Sequence, residues 1–173
     1  AGALLGKLHF LPTGTLNIMV HKATNLRNPD FLGKPDPYIR ISLEQAVPME
    51  YKAMTSDELE NRKSRKIKHI DKSSKLALGD ARSKTTITKQ TKAINGTLNP
   101  EWLTELSFDI IDAEFIKIEC FDEDVGSDDL IGSTELSLST AFELGHSDET
   151  VSLIYKTKKH DKPAGDVHLS LNF

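Results

Sequence analysis

The sequence holds one cysteine, no long apolar run and no excess of positive charge, and each shortage removes a class of protein. With Cys120 alone, no disulfide framework can form within the chain, which fits a reducing interior better than secretion. No hydrophobic stretch approaches the roughly 20 residues that a membrane-crossing helix needs. The formal net charge is −4, from 22 Lys and Arg against 26 Asp and Glu, which argues against a dedicated nucleic-acid binder. Signatures of catalysis are missing as well. The six histidines are scattered without HExxH-like spacing, and no nucleophile stands beside a base in a known pattern. What remains is a chain of 173 residues, 38% hydrophobic and 28% charged, long enough for one sizeable core but short for two.

Short alternating segments dominate, each bounded by turn residues, which is the pattern of an antiparallel sandwich. Leu16, Ile18 and Val20 share one face of a strand over 15–22, and Ile39, Ile41 and Leu43 oppose Tyr38, Arg40 and Ser42 in the next. Leu106, Phe108 and Ile110 alternate again. Ile116, Ile118 and Cys120 do the same over 114–121, so Cys120 is expected as a core thiol. Further strands are predicted at 130–138, 150–157 and 166–173, the last with Val167, Leu169, Leu171 and Phe173 inward. Asn95-Gly96-Thr97 matches a glycosylation sequon but reads as an ordinary turn.

Between Glu44 and about Ser83 the alternation breaks. Thr55 and Glu58 have capping-box spacing, and Arg62, Lys63, Arg65, Lys66, Lys68, Lys72 and Lys75 follow as a basic run. The thin apolar stripe of Leu59, Ile67 and Ile70 predicts a solvated helix or a disordered loop, not a helix bound firmly to the sheet.

Carboxylates concentrate in two segments between strands. One runs from Asp30 through Asp36 to Tyr38; the other holds Asp122, Asp124, Asp128 and Asp129 and ends at Gly132. Calcium is a hard cation that takes six to eight oxygens at about 2.3–2.6 Å, and clustered loop carboxylates are its natural cage. The alternative is that these are plain turn-forming aspartates. An EF-hand fails on spacing. Counting from Asp122, Ser127 stands where the glycine belongs and Ser133 where the bidentate glutamate belongs.

Four motifs in fixed order then make the pattern specific. They are GTLNIMVHKATNL from Gly14, D-x5-D-P-Y from Asp30, TLNPEW over 97–102 and FDEDVGSDDLIG over 121–132. Together they resemble the C2 domain family from Gly14 to Phe173, apart from an insertion at about 44–83. The resemblance implies an all-β fold, an eight-stranded antiparallel Greek-key β-sandwich of the family's type II topology. Residues 1–13 would be an N-terminal extension, although 4–10 could form an extra strand. It also implies that Asp30, Asp36, Asp122, Asp124 and Asp129 hold Ca2+, with Asp128 competing for the last place.

The function implied is calcium-dependent binding to anionic phospholipid membranes, phosphatidylserine first and phosphoinositides second. Phe31, Leu32 and Val125 would enter the lipid interface from the loop tips. Lys92, assigned to the strand before TLNPEW, and Lys63, Arg65, Lys66 and Lys68 would add a basic lipid contact. Gln90 and Asn95 stand where further lysines are often found, which weakens a defined phosphoinositide pocket. Such a chain would be a non-catalytic targeting module of a trafficking or signalling protein, peripheral on the cytoplasmic face of membranes. The alternative is a protein–protein interaction module that docks through the 44–83 insertion.

Overall fold

The computed structural model describes residues 12–30, 32–47 and 84–173. Eight strands are present: β1 (Thr13–Thr24), β2 (Pro37–Ala46), β3 (Lys84–Gln90), β4 (Glu101–Ile111), β5 (Phe115–Asp122), β6 (Asp129–Ser137), β7 (His146–Tyr155) and β8 (Lys162–Asn172); all but the largely exposed β3 fall on segments the sequence marked as strands. Hydrogen bonding joins them in the order β3-β2-β5-β6-β7-β8-β1-β4, with every neighbouring pair antiparallel. The two halves of that order meet only at Ser133 and Ile154, so they fold over on each other as the layers of a sandwich. β8 lies between β7 and β1, which sets the last strand beside the first, as the type II arrangement requires.

Alternation explains why these segments are strands, because every inward residue meets one common core. Leu16, Ile18 and Val20 from β1, Ile39, Ile41 and Leu43 from β2, Ile116, Ile118 and Cys120 from β5, and Val167, Leu169 and Leu171 from β8 all belong to it. Cys120 is fully buried, and burial pushes its thiol far above the ordinary range, so it is an inert core side chain. The seam between the halves needs a residue without a side chain. A Cβ on Gly132 would lie 2.5 Å from the Ala164 Cβ and 3.2 Å from the Leu153 Cβ.

Several expectations change. Glu44, Gln45 and Ala46 are not part of an insertion but the end of β2, paired with Thr86, Thr85 and Lys84. Their polar sequence suggested a loop, yet the buried Gln45 accepts the Ile111 backbone N–H at 3.1 Å through Oε1, which satisfies its amide oxygen inside the sandwich. A short helix, α1 (Ser139–Leu144), follows β6 where none was predicted. At six residues it is too short to show helical periodicity. Its Phe142 packs edge-on against Phe173 at 4.6 Å, so Phe173 closes the core by way of α1. The seventh strand begins four residues before its predicted start. Lys92 lies beyond the end of β3, on an irregular exposed segment. Asn95-Gly96 forms the expected turn. The possible strand at 4–10 and the helix or loop beginning near Thr55 lie outside the described residues, as do Lys63, Arg65, Lys66, Lys68 and Phe31.

Candidate metal centre at the loop end of the sandwich

β2 begins and β5 ends at the same edge, with Pro37 opposite Asp122, and this register brings the two acidic segments together. The Asp36 backbone N–H donates to Asp122 Oδ1 at 2.7 Å, and the Glu123 N–H donates to the Asp36 carbonyl at 3.1 Å. Asp36 in turn accepts the Gly96 N–H through Oδ1 at 2.6 Å. Gly96 has φ +60°, a left-handed conformation that glycine adopts without cost and that aims its N–H at the loop.

The TLNPEW stretch braces the first acidic loop from behind. Thr97 N–H donates to the Pro35 carbonyl, Leu26 N–H to the Leu98 carbonyl and Trp102 Nε1 to the Pro37 carbonyl, all at 2.9–3.1 Å. Asn99 Oδ1 accepts the N–H of Asn25, whose φ is +53°. Arg27 holds the two acidic loops to each other: Nε donates to the Ile131 carbonyl at 2.9 Å and Nη2 to the Leu130 carbonyl at 2.6 Å. The guanidinium rests 3.7 Å above the Tyr155 ring. Neither Arg27 nor Gly96 was singled out from the sequence. Both act on partners more than 50 residues away, so no local pattern marks Arg27, and Gly96 was marked only as part of a turn.

Asp30, Asp124 and Asp129 each place a carboxylate oxygen within 4.8 Å of the others. Oxygens on opposite sides of one calcium ion, at about 2.4 Å each, stand about 4.8 Å apart, so the trio has the spacing of a shared cation. Asp122, close enough to feel the charges of Asp124 and Asp30, is only 2% exposed. Its Oδ2 is the one buried side-chain oxygen or nitrogen among the described residues that has no hydrogen-bond partner. A buried carboxylate oxygen is not left bare without reason, since the missing partner costs free energy. The set of hard oxygen donors and that orphaned atom fit a calcium ion.

Charge reinforces the same reading. Burial holds the Asp122 carboxyl above its usual range against the pull of the Asp36 N–H, and the charges of Asp124, Asp30 and Asp36 add to the rise. Asp124 is also raised, by desolvation and then by the charges of Asp30, Asp129, Asp128 and Asp36. Asp128 differs. Its carboxyl is lowered, chiefly by the hydrogen bond from Tyr38. Beside the cluster, Leu32 and Val125 project from the two loops with 86% and 108% exposure, so neither has a core to reach. Lys92 is exposed on the neighbouring segment.

Fold and centre together are those of a β-sandwich whose clustered loop carboxylates could hold a metal ion, and comparison with known proteins gives the family. The C2 domain family matches residues 14–57 and 49–156, and the chain belongs to it. Over 140 residues it is 29% identical to a calcium-dependent lipid-binding protein of Arabidopsis thaliana, covering 79% of this chain and 19% of that protein. Over 84 residues it is 33% identical to extended synaptotagmin-1 of Mus musculus, covering 47% of this chain and 7% of that protein. The chain thus spans a fifth or less of these relatives. Among solved structures, a C2 domain of plant extended synaptotagmin 1 superposes with a TM-score of 0.58 at 24% identity, covering 94% of this chain and 97% of that one. The calcium-bound pair of C2 domains of extended synaptotagmin 2 superposes at 0.57 and 22% identity, covering 94% and 46%. Among the described residues, no helix is long and apolar enough to cross a membrane.

Proposed function

We propose that this chain is a calcium-dependent membrane-targeting module that binds anionic phospholipid and has no catalytic activity of its own. The observation that carries the reading is the buried, unpartnered Asp122 Oδ2 together with three carboxylates of shared-cation spacing. Asp30, Asp36, Asp122, Asp124 and Asp129 would hold the ion. Bound calcium would cancel their charge and complete its coordination with lipid phosphate or carboxylate oxygens.

The chain's own residues supply the rest. Before binding, the acidic loop end repels an anionic surface, which keeps Leu32 and Val125 in water. Once that charge is offset, each of these side chains contributes up to about 1.5–3 kcal/mol on entering the interface, an anchoring of reversible strength. Phe31 is assigned the same role, and Lys92 with the basic run Lys63, Arg65, Lys66 and Lys68 adds attraction of about 1 kcal/mol per charge near the surface. The names of the relatives support lipid binding and a place in membrane traffic. The module would act peripherally, on the cytoplasmic face of membranes.

The test is co-sedimentation with phosphatidylserine vesicles, in calcium or in chelator, with Asp122→Asn plus Asp124→Asn as the control protein. Calcium-dependent sedimentation lost in the double variant is the expected result. Equal sedimentation in chelator would move the lipid contact to the basic residues. None at millimolar calcium would favour a protein–protein module docking through the insertion between β2 and β3.

A further inference from the structure

One acid of the second loop does not face the others. We propose that Asp128 is a positioning residue and not a ligand: with Tyr38 it latches the loop between β5 and β6 onto β2 and so sets where Asp124 presents its carboxylate. The purpose of the latch rests on the calcium reading above; its existence rests on the contacts that follow.

Both oxygens of Asp128 are committed. Oδ2 accepts the Tyr38 hydroxyl at 2.6 Å, and Oδ1 accepts the Asp124 backbone N–H at 3.2 Å. Asp129, its neighbour, is the residue whose carboxylate joins Asp30 and Asp124. Asp128 instead has its carboxylate on Tyr38 and on the Asp124 backbone.

The direction of the Tyr38 proton is forced. Arg40 Nη2 donates to the Tyr38 hydroxyl at 3.0 Å, and a guanidinium can only donate, so the single phenolic hydrogen must go to Asp128. Arg40 is itself held, with Nε on Gln90 Oε1 at 3.4 Å and its guanidinium 4.5 Å above the Phe121 ring. Phe121 stacks on Tyr38 at 5.6 Å. This packing explains why Tyr38, on the outward face of β2, is nevertheless buried.

The test uses Tyr38→Phe, Asp128→Ala and the double variant, since Tyr38→Phe removes no carboxylate and keeps the ring stack. Calcium affinity is measured by titration calorimetry without lipid, and exchange of the Asp124 amide by NMR in chelator. Each single variant is expected to weaken calcium binding about tenfold, the usual scale for groups that orient a metal ligand. The double variant should be no weaker than Asp128→Ala alone, because the bond that Tyr38→Phe removes is already lost with the Asp128 carboxylate. Asp124 amide exchange should quicken in all three. If Asp128→Ala weakens binding, Tyr38→Phe does not, and the Asp124 amide is unaffected by Tyr38→Phe, Asp128 is a ligand and the latch is overturned. If the unaltered protein binds no calcium, the functional reading fails by itself. Amide exchange then decides alone: faster exchange in both single variants supports the latch, and unchanged exchange overturns it.

Discussion

Replacing Asp122 by Asn should reverse the stability ranking of the two proteins when calcium is added. Asp122 is 2% exposed; Oδ1 accepts the Asp36 N–H and Oδ2 has no partner. The amide keeps the oxygen that accepts from Asp36 and turns the orphaned oxygen into an N–H2 donor among carboxylates. Leaving a buried polar atom unpaired costs about 1–3 kcal/mol, so in chelator the variant should gain about 1–2 kcal/mol. For a chain of this length each kcal/mol moves Tm by about 2–4 °C, giving a rise of about 2–8 °C. In calcium at about 100 times Kd, the unaltered protein gains about 2.7 kcal/mol, or about 5–11 °C, which the variant lacks. Thermal unfolding followed by circular dichroism in chelator and in calcium reads both numbers. A variant that melts below the unaltered protein in chelator would refute the argument that this carboxylate is held at a cost. A variant that keeps the full calcium shift would remove Asp122 from the cage.

Gly132→Ala should destabilise the sandwich by about 1–3 kcal/mol, because the new methyl meets the Ala164 Cβ at 2.5 Å in a packed seam; denaturant unfolding with an unchanged midpoint would contradict this. Leu32→Ser plus Val125→Ser should weaken binding to phosphatidylserine vesicles at least tenfold while calcium affinity without lipid stays the same, and equal vesicle binding would sink the insertion step. Calcium affinity should fall as pH drops toward the carboxylate range, beginning above the pH at which an ordinary aspartate takes up its proton, with protons released on binding there. Asp122 and Asp124 are held above the ordinary carboxylate range, the first mainly by burial and the second by desolvation and neighbouring charge. Groups raised in this way favour the folded chain below their ordinary value, and that contribution is lost as pH rises through the raised value, so calcium has to displace their protons. Calorimetry in two buffers of different ionisation heat measures the release, and identical heats would count against it.

The eight strands were largely legible because alternation is a local property: the inward residues of β1, β2, β5 and β8 sit where a period of two puts them. The exceptions have separate causes. Glu44, Gln45 and Ala46 read as loop because Gln45 is polar, and its burial depends on the Ile111 N–H, 66 residues away. α1 escaped notice because six residues hold too few turns for a helical period to show. Lys92 was assigned to a strand that ends two residues earlier.

The candidate site divides along the same line. Residue types and spacing determined that oxygen-rich loops stand between strands, that apolar residues lie within them, and that the motifs follow the order of the C2 family. Only the tertiary structure decided which carboxylates converge. Asp36 meets Asp122 across 86 residues, Gly96 reaches Asp36 across 60, Tyr38 turns Asp128 aside across 90, and Arg27 ties the loops across 103. Asp129 was already preferred to Asp128 from the sequence, but the bond of Asp128 to Tyr38 and the isolation of Asp122 Oδ2 depend on where a side chain points. That direction is set by hydrogen bonds and packing from distant strands, and the local sequence carries no trace of them.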